Sequence, residues 1–167
     1  MSAVDDVLER NREYAARFTD GDAPLLPRLP LVVLSCIDAR VQPARFLGLG
    51  AGDAHVVRNA GARATPDALR SIIISTQVLG TRECMVIHHT DCGMVSFTND
   101  DIRAKLRAET GASADDIDFM PFTDLDASVQ DDVRTIRANP LLPKELEVSG
   151  WVFDVATGRL DEVKVLG

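Results

Sequence analysis

The sequence predicts an α/β fold: a mostly parallel central sheet flanked by helices, with an N-terminal helical arm packing on a partner subunit. Three observations lead there. The runs "LVVL" at 31–34, "AHVV" at 54–57 and "CMVIH" at 84–88 are apolar without alternation, the signature of strands buried on both faces. Helical patterns lie between and after these runs, and strands alternating with helices imply a mostly parallel sheet covered on both sides. Finally, Cys36 and the segment "HHTDC" sit at the carboxyl ends of predicted strands, where such sheets bind their ligands.

In chain order, residues 3–19 read as an amphipathic helix, because Val4, Val7, Leu8, Tyr14 and Phe18 fall near one stripe. The stretch "DGDAPLLPRLP" that follows cannot continue it. A helix on such a Pro-rich arm suits docking on a neighbouring subunit. The first strand comes next, then the second. Between the second and third lies "TPDALRSIIISTQVLG", with Thr65 as N-cap, Pro66 at the first helical position and Gly80 as the stop. Its length overrides the strand-like "III". This helix is apolar almost all round, so it is expected to be covered on two sides, as a subunit interface would do. "NDDIRAKLRAE" begins with an Asn cap and acids in its first turn and reads as a helix. "DASVQDDVRTIRAN" is another, stopped before Pro140. The segment "EVSGWVFDVATGRLDEVKV" reads as a strand, an "ATG" turn and a second, more polar strand. No repeat, low-complexity tract or long linker interrupts residues 1–167, which are read as one domain.

Composition narrows the function classes. The 167 residues suffice for one core, and 46% hydrophobic with 26% charged residues is ordinary for a soluble globular protein. The formal charge of −8, from 18 basic and 26 acidic residues, argues against nucleic acid and anionic membrane as partners, since both need a basic face. The longest strongly apolar stretches, "SIIIS" and "LPLVVL", are far short of a membrane span. "MSAVDDVLER" carries acids where a secretion signal needs a basic end and an apolar run, so the cytoplasm is the expected compartment. Three cysteines, an odd and low count, favour metal binding, catalysis or burial over a disulfide framework.

The chemistry concentrates in two segments. In "SCIDARV", Cys36, Asp38 and Arg40 alternate and would share one side of an extended chain. A buried strand end has no packing use for Asp38 and Arg40, although a bidentate Arg–carboxylate pair could simply fix a loop. In "HHTDCGM", His89 and Cys92 are three apart and His88 and Cys92 four apart, and both are workable ligand spacings. With Cys36, either histidine completes a set of two sulfurs and one nitrogen. Zinc suits that set and would keep a fourth position open. Simple burial of the cysteines is the competing reading. Cys84 opens a strand without ligand partners and is assigned to the core; His55 is assigned a structural role. Other sites are excluded. A cysteine phosphatase needs Arg six positions after its nucleophile, where this chain has Gln42 and Thr98. There is no CxxC pair and no GxSxG elbow, and "GLGAG" lacks a third glycine at the dinucleotide spacing and precedes a strand.

"CIDAR" followed by "HTDC" resembles the C-x-D-x-R and H-x-x-C zinc signatures of the beta-class carbonic anhydrases. The resemblance covers most of the chain, including "VVRNAGA", "GTRE", "HHTDCGM" and "FDVATGRL". It implies one zinc per chain on Cys36, His89 and Cys92, with Asp38 and Arg40 as a catalytic dyad in which Asp38 either binds zinc or turns onto Arg40. It further implies a zinc-bound hydroxide that attacks CO2 to give bicarbonate, a substrate contact from the Gly61 amide, and a homodimer or dimer-based oligomer built partly through swapped N-terminal helices. The short chain and the "HHTDCGM" form look like a compact branch that also contains carbonyl sulfide hydrolases. That activity is the alternative, and a catalytically silent zinc-binding protein is the third.

Overall fold

A computed structural model describes residues 2–165. Its centre is a five-stranded sheet in the order β2-β1-β3-β4-β5. The strands are β1 (Leu31–Cys36), β2 (His55–Asn59), β3 (Glu83–His89), β4 (Glu147–Phe153) and β5 (Leu160–Val163). All pairings are parallel except β4 with β5. The helices are α1 (Ala3–Ala15), α2 (Pro43–Phe46), α3 (Pro66–Gln77), α4 (Asn99–Thr110) and α5 (Leu125–Arg137). From β1 the chain moves outward to β2 and then crosses back to β3 on the other flank. The carboxyl ends of β1 and β3 therefore border a topological switch point, the crevice where open α/β sheets bind ligands.

Four of the five helices start at a side-chain cap. Ser2 and Asp5 make a reciprocal capping box for α1, and Thr98 and Asp101 make one for α4. Thr65 accepts the Ala68 amide at the start of α3, with Pro66 at the first turn. Asp124 accepts the Ala127 amide at the start of α5. On one sheet face, Val32 and Leu34 of β1 and Cys84 and Val86 of β3 pack against Ala68 and Ile72 of α3 and Val129, Val133 and Ile136 of α5. Gly150 of β4 is the contact point for α5. A Cβ there would lie 2.5 Å from Val129 Cγ1, so only glycine lets the helix approach this closely. The opposite face is covered more thinly, by Val41, Phe46 and Leu47 around α2, with Phe46 stacked 4.2 Å from Phe153.

The structure corrects four expectations of detail. Thr98, not Asn99, caps α4. The "AHVV" run is not buried on both faces: β2 is a sheet edge, its burial alternates, and Val56 is 40% exposed. The first helix ends at Ala15 and not at 19, giving way to a turn. Asp38 and Arg40 do not continue β1. The strand stops at Cys36 and the next residues form a turn closed by Val41 N–H on Asp38 O, 2.9 Å. Their alternation in sequence is therefore not the reason they come together. Among the described residues no helix is long and apolar enough to cross a membrane.

Candidate metal centre

Cys36 ends β1, His89 ends β3, and Cys92 lies three residues on, at the start of the short turn Gly93–Val95. The alternation of β1 places Cys36 in line with Val32 and Leu34, whereas that of β3 places His89 in line with Met85 and Ile87. The two side chains thus leave opposite faces of the sheet and meet over its carboxyl edge. Their donor atoms and Cys92 Sγ all lie within 4.8 Å of one another, and all three residues are buried.

The hydrogen bonding of His89 decides which nitrogen faces the sulfurs. Its Nδ1–H donates to the Thr90 carbonyl at 2.8 Å, which leaves Nε2 as the bare lone pair. That atom is buried without a hydrogen-bond partner. A buried unpaired acceptor beside two thiols is costly unless a cation completes it. Soft sulfur and imidazole donors within bonding reach of a common centre match zinc. The three groups also shift one another's titration. A hydrogen bond from the Cys92 thiol is the main force lowering the Cys36 pKa; burial opposes it, while His89 and the amides of Asp38 and Gly61 help. Cys92, as the donor to Cys36 and a buried group, is raised in turn. For His89, burial works against the charged form, but the nearby Cys36 sulfur and the Thr90 carbonyl outweigh it and the pKa rises. Cys84 provides the contrast: desolvation alone pushes its thiol up to about 12, and it lies in the core as expected.

The Asp38 carboxylate stands at the mouth of this cluster. Arg40 grips it from the side chain, with Nε donating to Oδ1 at 3.0 Å and Nη2 to Oδ2 at 2.7 Å, and the Arg40 amide donates to Oδ1 at 2.9 Å. These bonds hold the Asp38 carboxyl well below the usual carboxylate range and raise the guanidinium. Asp38 Oδ2 lies 3.8 Å from His89 Nε2. Arg40 is itself anchored by Asp91, through the carboxylate at 2.7 Å and the backbone carbonyl at 2.9 Å. Asp91 reaches it by adopting φ 55°, a left-handed conformation that Asp tolerates better than most residues. Arg58 fastens the other side of the turn, donating to the carbonyls of Cys36 and Asp38, both at 2.8 Å.

Gly61 lies in the turn Ala60–Ala62 at φ 79°. A Cβ there would be 3.0 Å from Met94 Cγ, and its amide faces the Cys36 sulfur. Ala62, Met94, Phe97 and Phe122 pack with the two cysteines as an apolar wall. His88 points away from the cluster: its Nε2 lies 3.1 Å from Asp132 Oδ2, and both residues are 1% exposed. His55 is bonded through Nδ1 to Ser75 Oγ at 2.8 Å, which fits its structural assignment. The sequence reading missed Asp91, Arg58, Arg63 and Asp132. Asp91 was visible as a charge inside "HTDC"; Asp132 carried no local signal, being one acid among several in α5.

A protein-family model described as carbonic anhydrase matches residues 31–160. The chain is 42% identical over 165 residues to beta-carbonic anhydrase 1 of Mycobacterium tuberculosis, covering 98% of this chain and 99% of that one. It is 34% identical to a carbon disulfide hydrolase of Saccharolobus solfataricus, covering 94% and 87% of the two chains. A crystal structure of carbonic anhydrase from Streptococcus mutans superposes with a TM-score of 0.95 at 42% identity, over 98% of this chain and 99% of that one.

Proposed function

This chain belongs to the beta-carbonic anhydrase family, and we propose that it catalyses the reversible hydration of CO2 to bicarbonate with one zinc ion held by Cys36, His89 and Cys92. The observation that carries the reading is the convergence of those three donors, with His89 Nε2 buried and unpartnered among them. Zinc in a three-ligand site polarises water and so supplies a hydroxide nucleophile near neutral pH.

The remaining work falls to side chains of this protein. Asp38 is a hydrogen-bond acceptor at every relevant pH, because Arg40 keeps it ionised. It would accept a hydrogen bond from the nucleophile and so aim its lone pair at the substrate carbon. Both Asp38 oxygens accept hydrogen bonds from Arg40. Arg40, braced by Asp91, keeps the carboxylate in place. Ala62, Met94, Phe97 and Phe122 offer an apolar wall to an uncharged linear substrate, and the Gly61 amide stands at the same edge as a donor for a substrate oxygen.

A second reading is hydrolysis of carbonyl sulfide or carbon disulfide, favoured by the similarity to carbon disulfide hydrolases. The nucleophile and dyad would serve either substrate, so turnover of CO2, carbonyl sulfide and carbon disulfide at equal zinc content separates them. The CO2 reading expects CO2 to be fastest, and a dominant rate on either sulfur compound would replace it.

We also propose a homodimer as the working unit, in the cytoplasm. No residue of α1 is buried, and Val4, Val7 and Leu8 stand exposed along it, as do Ile74 and Val78 at the end of α3. Apolar surface on this scale marks an interaction site, and a second copy of the chain covers it in this reading. Sedimentation at micromolar concentration should give twice the chain mass; a monomer would refute it.

A further inference from the structure

We propose that Asp132, which lies outside the donor cluster, is a positioning residue for the metal centre; the inference rests on the zinc reading of Cys36, His89 and Cys92. Asp132 projects from the middle of α5 and is 1% exposed. A carboxylate so deeply buried is destabilising unless its oxygens are fully used. Here Oδ1 accepts the Ala64 amide at 2.8 Å, while Oδ2 faces His88 Nε2 at 3.1 Å and Arg63 Nε at 3.3 Å. One side chain therefore ties three elements together: the helix α5, the loop after β2 and the carboxyl end of β3.

Two of those elements carry the site. The loop holds Gly61, whose amide faces the Cys36 sulfur, and Ala62, a non-glycine residue at φ 60°. Left-handed backbone at two successive residues is held only by its surroundings. Within the loop, Asn59 bonds both the amide and the carbonyl of Arg63, at 2.8 Å and 2.7 Å. From outside, Asp132 and Ser128 of α5 hold Ala64 and the Arg63 side chain. On β3, His88 is the immediate neighbour of His89, so fixing one ring's backbone fixes the direction in which the other leaves the strand. Phe122 closes the arrangement, 5.5 Å from the His88 ring and 5.7 Å from the Arg63 guanidinium. Asp132 thus sets where the Gly61 amide stands relative to Cys36, and where His89 Nε2 points.

The test compares Asp132→Asn with Val133→Ala on the full-length chain. Asn can still accept the Ala64 amide, but its NH2 meets the donors of His88 and Arg63. Val133 is a neighbouring core residue on α5 without a polar role, and its truncation controls for lost stability. The readouts are zinc affinity, by competition with a chromophoric chelator, and the visible spectrum of the cobalt-loaded protein. Asp132→Asn should weaken zinc by about 10- to 100-fold, as loss of groups that orient ligands does, and shift the cobalt bands. Val133→Ala should melt earlier yet keep both signatures. The inference is overturned if Asp132→Asn binds zinc and absorbs like Val133→Ala. Should Asp132→Asn not fold, Arg63→Gln removes one arm of the clamp and must shift the cobalt bands in its place. Failure of the wild-type chain to bind either metal would instead overturn the zinc reading, and the inference with it.

Discussion

His88 and His89 are adjacent in β3 and equally buried, yet they belong to regions of opposite character. Strand alternation turns His88 towards α5, where Asp132 bonds its Nε2 and is itself paired with Arg63. It turns His89 to the other side, where two thiols sharing a lowered and a raised pKa face an unpaired nitrogen. Burial of polar groups is costly in both places. On the His88 side Asp132 accepts from Nε2, although His88 Nδ1 and Arg63 Nε find no hydrogen-bond partner. On the His89 side the unpaired nitrogen faces two sulfurs within 4.8 Å, and such convergent soft donors suit zinc. A buried polar cluster centred on a carboxylate reads as scaffold; one of convergent sulfur and imidazole donors reads as a site.

Substitutions at the two histidines test that difference most severely. His89→Ala removes a metal donor, so zinc content should collapse and CO2 hydration fall on the order of 10,000-fold, the scale of losing an essential catalytic group. His89→Ala protein that keeps full zinc would erase the distinction. Asp38→Asn sharpens it from the side of the mouth: zinc should stay and activity should drop about 100-fold, as for a lost proton-handling group, measured by stopped flow at matched zinc content. Asp91→Asn probes the outer brace of Arg40. Asp91 is 78% exposed at its side chain, and exposed ion pairs contribute about 1 kcal/mol or less, so activity should fall by no more than about fivefold. His88→Gln should keep zinc bound, with affinity weakened by no more than the 10- to 100-fold expected of Asp132→Asn, while lowering unfolding free energy by about 1–3 kcal/mol, the cost of disturbing a buried hydrogen bond, read from denaturant melts.

The acid behaviour of the dyad follows from sign. The folded-state pKa of Asp38 is depressed by Arg40. Its stabilisation is therefore fully present above the ordinary carboxylate pKa and lost only as pH falls through the lower folded value. Carbon-13 NMR of the Asp38 carboxyl should show no titration above about pH 4, and any inflection of activity near neutrality belongs to another group. A carboxyl titrating near pH 6 would contradict the Arg40 clamp.

The fold and the donor set were largely legible in the sequence, for a physical reason. Apolar runs ending in Cys36 and in "HHTDC" put chemistry where packing has no use for it. The choice of histidine was not legible from spacing, because three and four residues are both workable. In the structure β3 runs through His89, and parity separates the two rings. The edge position of β2 was hidden because Val56 and Val57 resemble buried-strand residues, and only pairing shows that nothing lies beyond them. Asp38 and Arg40 were identified, but by an alternation that turned out to be a tight turn. Asp132 was invisible because its meaning is set by Ala64, Arg63 and His88, all distant in sequence.

The central claim is that Cys36, His89 and Cys92 hold a catalytic zinc. Stopped-flow CO2 hydration at mildly alkaline pH, on protein of measured zinc content, tests it most directly. The account predicts about one zinc per chain, with fast turnover that disappears on chelation and returns when zinc is restored. Full zinc with negligible CO2 turnover would contradict it.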